Sequence, residues 1–318
     1  MARAQQAAHA DRVLKAIASA EPATSAIAAS WRRSGALHAL DPATVSPSRR
    51  LPAAEVATAR ERMGRLLAVA RPGFERLFFA VGGVGCSVML ADRDGVILER
   101  RGAAGDDSAF DDCGLWTGAV WSEKFEGTNG IGTCLIEQRV LTIDRDQHFF
   151  ARNASLSCTT APIFDEHGEL AAALDVSSCR LAPGYQQLVA AAVADAARAI
   201  EAENFRLAFP GTRIVLAPGG ERAGAALLAV DRDDLVVGAT RAARLALGVT
   251  AQTLAKPRPA SDFIDSAGQR EDGIETAERA AIHRALARAD GNVSKAAKDL
   301  DMSRATLHRK ISRFGLKR

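Results

Sequence analysis

Gly291-Asn292-Val293-Ser294-Lys295-Ala296-Ala297-Lys298-Asp299-Leu300-Asp301-Met302-Ser303-Arg304-Ala305-Thr306-Leu307-His308-Arg309-Lys310 is the stretch from which the rest of this chain is read. It holds one short apolar stripe at helical spacing, Val293/Ala296/Ala297/Leu300, and after a three-residue turn begins a second, Leu307/Ile311/Phe314. A third stripe precedes them: Ile274, Ala277, Ala281, Ile282, Ala285, Leu286 and Ala289. The spacing predicts helices over 274–290, 293–300 and 304–314. Asp290-Gly291-Asn292 ends the first helix and caps the second, and Ser303 caps the third. A turn as short as Asp301-Met302-Ser303 forces two helices to cross steeply, which is helix-turn-helix geometry with the third helix as the reader. Asp301 stands where such turns favour Gly, and Asp tolerates a left-handed backbone better than most residues.

Charge placement agrees. From residue 275 onward there are eleven Lys or Arg against five acids, a net of +6, whereas the remainder carries 30 bases and 33 acids. A basic tail on a mildly acidic body is the electrostatic footprint of a duplex-DNA binder. A solvated basic helix explains the charge but not the caps and matched stripes.

The chain has 318 residues, 47 % of them hydrophobic, enough for two or three domains with real cores. Cys86, Cys113, Cys134, Cys158 and Cys179 form no C-x-x-C pair, which argues for a reducing cytoplasm and against zinc or a disulfide framework. They read as small buried hydrophobes, with Cys134 and Cys158 candidates to line a pocket. No signal-peptide core and no run of about twenty apolar residues occurs, so a cytoplasmic protein without a membrane partner is expected.

Ahead of the tail, residues 1–52 read as helices and a Pro-punctuated connector. Val13, Leu14 and Ile17 start a stripe, Trp31 is a docking anchor, and Arg32-Arg33 is a solvated face. Helical period returns over 53–80 and then changes to two. Strand, Asp/Gly-rich turn and strand recur three times, with turns at 92–95, 165–168 and 231–234. Hairpins alternating with helices indicate α+β domains on antiparallel sheet. Gly127-Thr128-Asn129-Gly130-Ile131-Gly132-Thr133 is not a phosphate loop, because no Lys follows the glycines. Those glycines instead allow tight entry into a helix over 131–138 laid close against the sheet. The helix over 185–207 is a candidate dimer or signalling helix, with Leu188, Ala192, Val193, Ala196 and Ile200 as its apolar positions; a packing role stays open.

Two resemblances follow from these residues. The 291–310 stretch resembles the C-terminal module of the factor for inversion stimulation (Fis), which also ends many bacterial enhancer-binding activators. The resemblance implies that Ser294 touches phosphate and that Ser303, Arg304, Thr306, His308, Arg309 and Lys310 face DNA. Gly114-Leu115-Trp116, Trp121-Ser122-Glu123, the 127–133 loop, Asp146-Gln147-His148-Phe149, Cys158-Thr159-Thr160-Ala161-Pro162-Ile163 and Leu174-Asp175-Val176-Ser177-Ser178, with upstream Trp31-Arg32-Arg33-Ser34, resemble the GAF sensor part of sigma-54 activators of the acetoin-catabolism type. This implies a small-molecule effector, with Trp116, Trp121, Phe125, Asn129, Thr133, His148 and Cys158 as pocket candidates, and no cofactor.

The expected organisation is an N-terminal helical region (1–52), a GAF-like sensor with its signalling helix (53–207), a shortened PAS-like unit (208–255), a linker (256–273) and the Fis-type domain (274–318). Relatives of this type place an AAA+ ATPase before the tail. Here barely thirty residues are available and no phosphate loop occurs, so regulation by DNA occupancy, direct recruitment of RNA polymerase, or an ATPase-bearing partner is expected. A metal site at His148 with Asp144, Asp146 and Cys158 is disfavoured, because Asp144–His148 reads as a surface turn and not a helix that would hold ligands on one face. The expectation is therefore a ligand-responsive, homodimeric, non-enzymatic regulator. A thiol enzyme on the GAF fold (methionine sulfoxide reductase-like) and a ligand-free architectural DNA binder remain open alternatives.

Overall fold

The computed structural model describes residues 2–180, 184–217, 225–264, 274–289 and 291–316. They fall into two compact units, 1–260 and 261–318.

In the larger unit, α1 (Ala2–Ala18) and α2 (Ala26–Arg32) come first, and α2 winds on through a wide turn at Arg33–Leu37. The helical stretch expected over 53–80 is two helices, α3 (Ala53–Met63) and α4 (Arg65–Val81), because Gly64 between them takes a φ of +50° that ends the first. Five antiparallel strands follow: β1 (Cys86–Asp92), β2 (Ile97–Arg101), β3 (Leu141–Asp144), β4 (Ser157–Phe164) and β5 (Leu170–Ser178), in the order β2-β1-β5-β4-β3. The first two expected hairpins are β1–β2 and β4–β5, and Asp92 and Asp165 organise their turns by accepting backbone N–H groups two and four residues on. Between β2 and β3 run α5 (Asp107–Asp112), α6 (Glu123–Glu126) and α7 (Gly130–Glu137).

β1 and β4 are buried along their whole length because both sheet faces are covered. On one face α4 and α8 (Gln186–Ala208) bury Phe74, Leu77, Val193 and Ile200 against Val88, Leu90, Ile163 and Leu174. On the other, Phe110, Leu115, Trp121, Ile131 and Leu135 pack on Met89, Ala91, Ile97, Cys158 and Ala173. Leu188, expected on the apolar face of α8, is 68 % exposed, and Val189 takes its place in the core. In α1 it is Ala10, Val13 and Ala16 that are buried, whereas Leu14 is half exposed.

α8 then continues onto a second, three-stranded antiparallel sheet. Its Ala202 and Phe205 pack on Leu227 and Ala229. That sheet, β6 (Arg213–Leu216), β7 (Leu227–Val230) and β8 (Val236–Ala239), holds the third expected hairpin plus β6, an edge strand absent from the sequence reading. Helices α9 (Arg241–Leu247), capped by Thr240, and α10 (Ala251–Ala255) complete the unit. No helix among the described residues is long and apolar enough to cross a membrane.

The smaller unit contains α11 (Ser261–Ile264), α12 (Ile274–Arg288), α13 (Val293–Asp299) and α14 (Arg304–Arg313). Residues 265–273 of the expected 256–273 linker, and Asp290, lie outside the described residues. Ile282, Leu286, Val293, Ala297, Leu307 and Ile311 form one core, as their spacing predicts, while Ala277 is exposed.

Candidate functional site

The candidate residues fall in two places: on α13 and α14 of the small unit, and on the α7 side of the five-stranded sheet. In the small unit, Asn292 Oδ1 accepts the N–H groups of Ser294 (3.1 Å) and Lys295 (3.2 Å), which starts α13. Ser303 Oγ accepts the Thr306 N–H at 3.1 Å and so fixes the first turn of α14. Gly291 (φ 77°) and Asp301 (φ 47°) take the two left-handed positions that bracket α13. Leu307 and Ile311 are turned into the core, Arg309 is exposed on the side away from it, Arg304 is exposed at the helix start and His308 is half-buried beside the core stripe. Ser294 and Ser303 are exposed at the helix starts, and Thr306 is half-buried with its hydroxyl 2.8 Å from that of Ser303. Lys310 is drawn back into an ion pair with Glu278 of α12, so its charge also braces the bundle.

On the sheet, the 127–133 loop does what its glycines suggest. Asn129 caps α7 by accepting the Gly132 N–H at 2.8 Å, and its amide donates to the Gly127 carbonyl at 2.8 Å. A Cβ on Gly130 would stand 2.7 Å from Cys158 Cβ and from Thr160 Oγ1, and 2.9 Å from Asp175 Oδ1; only Gly lets the helix start lie this close. Beneath it, the buried Asp175 carboxylate accepts from Thr160 Oγ1 (2.5 Å) and Ser177 Oγ (2.6 Å), and burial pushes its carboxyl up to about 6. Cys158 Sγ lies 3.0 Å from the same Ser177 hydroxyl, and burial raises that thiol well above its ordinary value.

The same loop ties down the N-terminal helices. Glu123, whose side chain is wholly buried, accepts from Arg33 Nε (2.9 Å) and Nη2 (3.2 Å), from Ser30 Oγ and from Thr133 Oγ1 (3.3 Å). Arg33 also pairs with Glu137 at 2.9 Å. The expected solvated Arg pair is thus half wrong: Arg32 is exposed, but Arg33 reaches inward because a buried carboxylate ninety residues away requires a cation. Trp31 is the anchor expected, buried with Nε1 donating to the Gln147 carbonyl at 2.8 Å.

The seven pocket candidates are not brought to one place. Trp121 and Cys158 share the core on the α7 face. Asn129 and Thr133 belong to the cap and the Glu123 network. Phe125 packs with Val56 and Leu98 at another edge, under the Arg49 guanidinium. Half-buried Trp116 stacks on Arg100 of β2, with the guanidinium carbon 4.2 Å from the ring centroid. His148 is fully buried, not on a surface turn. Its Nδ1 lies 2.9 Å from the Arg145 carbonyl, Nε2 of His9 from α1 lies 3.0 Å from its own carbonyl, and burial lowers its imidazole to about 4. None of the seven lines the open cleft of 580 Å³ at the hairpin tips, where Arg62 faces Asp92 and Asp94 and Arg65 pairs with Glu166. Among the described residues, no three His, Cys, Asp or Glu converge as a metal site.

Two cysteines depart from the expected inert burial. Cys113 and Cys179 are half-buried side by side, and the hydrogen bond with Cys179 lowers Cys113 to about 7. The burial of Arg100 is not signalled by the sequence, since an Arg pair at a strand end reads as solvated.

Comparison with known proteins follows the same division. The family described as "MimR, N-terminal domain" matches residues 2–198, and "Bacterial regulatory protein, Fis family" matches residues 273–314. The acetoin catabolism regulatory protein of Cupriavidus necator is 40 % identical over 149 residues, 47 % of this chain and 22 % of that protein. The propane 2-monooxygenase operon transcriptional activator MimR of Mycolicibacterium smegmatis is 31 % identical over 140 residues, 44 % of this chain and 23 % of that one. The match therefore spans between a fifth and a quarter of these relatives' length. The crystal structure of the E. coli DhaR(N)–DhaL complex contains a chain with a related fold (TM-score 0.51, 18 % identity, 74 % of this chain and 80 % of that chain covered).

Proposed function

This chain belongs to the MimR N-terminal domain family, with a Fis-family module at residues 273–314, and from that premise we propose that it is a transcriptional regulator that senses a small effector and acts by binding duplex DNA without an ATPase of its own. The observation that carries the reading is the capped three-helix unit with Arg304 exposed at the start of α14 and Arg309 exposed on the side away from its core. A helix of this kind enters the major groove, where Arg pairs bidentately with guanine, and Ser294 and Ser303 at the helix starts hold phosphate. Two copies reading half-sites about one helical turn apart supply affinity that one ten-residue helix lacks. Between α10 and α12 the chain has too few residues for an ATPase domain, so output passes through occupancy of DNA, through polymerase, or through a relative that has one. The effector occupies the α7 side of the sheet, near Trp116, Trp121 and Cys158, and one arrangement of the dimer is favoured when it binds.

The test is a gel shift at fixed salt on fragments selected by the wild-type chain. Arg304→Ala with Arg309→Ala is expected to weaken specific binding by roughly a hundredfold or more, at about 1–3 kcal/mol per lost bidentate pair, with unchanged circular dichroism. Unchanged operator affinity sinks the DNA-reading assignment.

A further inference from the structure

Arg100 lies on β2 opposite Met89 of β1, and Met89 in turn lies opposite Asp175 of β5, so the guanidinium belongs to the same sheet row and face as the α7-side core. Its side chain is only 7 % exposed. The plane is held by two rings, Trp116 with its centroid at 4.2 Å and Phe110 at 5.3 Å. One nitrogen is satisfied: Nη1 donates to Asp107 Oδ1 at 2.8 Å. Nε and Nη2 are buried and have no hydrogen-bond partner. Gly102 gives the group its room, since a Cβ there would come within 2.6 Å of Nη2.

We propose that this unpaired Nε/Nη2 edge is the recognition element for the effector, and that the effector is a small monocarboxylate. Nε and Nη2 are the two nitrogens whose N–H groups point the same way, the fork that receives both oxygens of a carboxylate in parallel. Leaving charged donors buried and unmet is costly, and native structures keep such groups where something else meets them. The surroundings set the class. Met89, Phe110 and Trp116 offer apolar contact to the body of the acid. Asp107 is already paired to the guanidinium and Asp175 lies one strand beyond Met89, so an incoming carboxylate competes with Asp107 for one cation and a dianion is repelled. Arg101, the next base along, ion-pairs instead with Glu75 of α4 on the opposite side of the sheet. This assignment rests on the proposed sensing role and specifies its ligand.

The experiment uses the full chain at constant ionic strength, with butyrate titrated against butyramide and chloride. Sensor unfolding is followed by tryptophan fluorescence, since Trp31, Trp116 and Trp121 are the three tryptophans and all lie in the larger unit. Butyrate is expected to raise the melting temperature saturably, while the amide and chloride do not. Arg100→Lys keeps the charge, loses the fork and weakens the response by roughly tenfold or more. Asp107→Asn removes the competing carboxylate and tightens butyrate binding, which keeps the proposal testable should the Lys variant fold poorly. Equal response to acid and amide, no response beyond chloride, or an unaltered response in both variants overturns it. A butyrate response that never changes DNA affinity supports the carboxylate site and defeats the regulatory reading; a neutral effector acting undiminished on Arg100→Lys does the reverse.

Discussion

The contact between Arg33 and Glu123 separates two ways of holding the N-terminal helices, and it can be measured. Glu123 is fully buried, whereas the Arg33 side chain is 28 % exposed and has Glu137 as a second partner. Removing the cation strands a charged carboxylate among hydroxyls; removing the carboxylate leaves a cation that still has a partner and some water. Breaking a buried pair from the side that orphans the buried charge costs about 3–5 kcal/mol, so Arg33→Met is expected to fall in that range. Glu123→Gln keeps an acceptor for Ser30 and Thr133 and costs roughly 1–2 kcal/mol, the size of a lost charged hydrogen bond. The double variant costs clearly less than the sum, with a coupling of about 2 kcal/mol. The assay is urea unfolding by tryptophan fluorescence, which reports the larger unit alone and so avoids mixing two transitions. Additive losses, or an Arg33→Met variant within about half a kcal/mol of wild type, would refute the claim that Glu123 depends on this one cation.

Three further outcomes follow from the same geometry. Gly130→Ala gains helix propensity of about 1 kcal/mol yet is expected to lose a net 1–2 kcal/mol or so, because overpacking against Cys158 and Thr160 outweighs it; a stabilised variant in the same urea assay contradicts the close approach of α7. Glu201, whose carboxylate accepts the Phe164 N–H at 2.9 Å, is pushed by burial to about 7, above its ordinary 4.5. A raised carboxyl makes the fold bind the proton first, so the destabilisation is absent below 4.5 and grows as pH rises to 7. Glu201→Gln should therefore raise stability at pH 8 by up to roughly 3 kcal/mol and change little at pH 4.5, and a pH-independent effect counts against it. Thiol titration of the native chain should find Cys113 reacting near neutral pH well ahead of buried Cys134 and Cys158; equal, slow reaction of all five refutes this.

What could be read in the sequence is what short-range chemistry encodes. The Asp-turn hairpins, the Asn292 and Ser303 caps and the core stripe of the small unit each involve residues within a few positions of one another. β6 escaped because four residues, Arg213–Leu216, become a strand only by pairing with Leu227–Val230 across an intervening stretch. Arg33, Arg100 and His148 escaped for a related reason. Charged or polar types are read as exposed, and their burial is decided by Glu123, by Trp116 and Phe110, and by α1 folding over the 148–150 segment. The pocket candidates are motif residues, and several of them lock the loop to the N-terminal helices. Family resemblance identified the motif correctly without saying which of its members hold the fold and which face a ligand.

The passage of α8 from one sheet to the other has a geometric consequence. At about 1.5 Å per residue and 100° per step, its 23 residues form a single axle whose buried stripe changes partner between Ile200 and Ala202. Adding or deleting one residue before that point would turn Phe205, and the sheet it grips, by about 100° relative to the five-stranded sheet. Removing seven residues, close to two whole turns, would nearly restore the angle and shorten the axle by about 10 Å. The phase of this helix, more than its composition, is what the two sheets have in common.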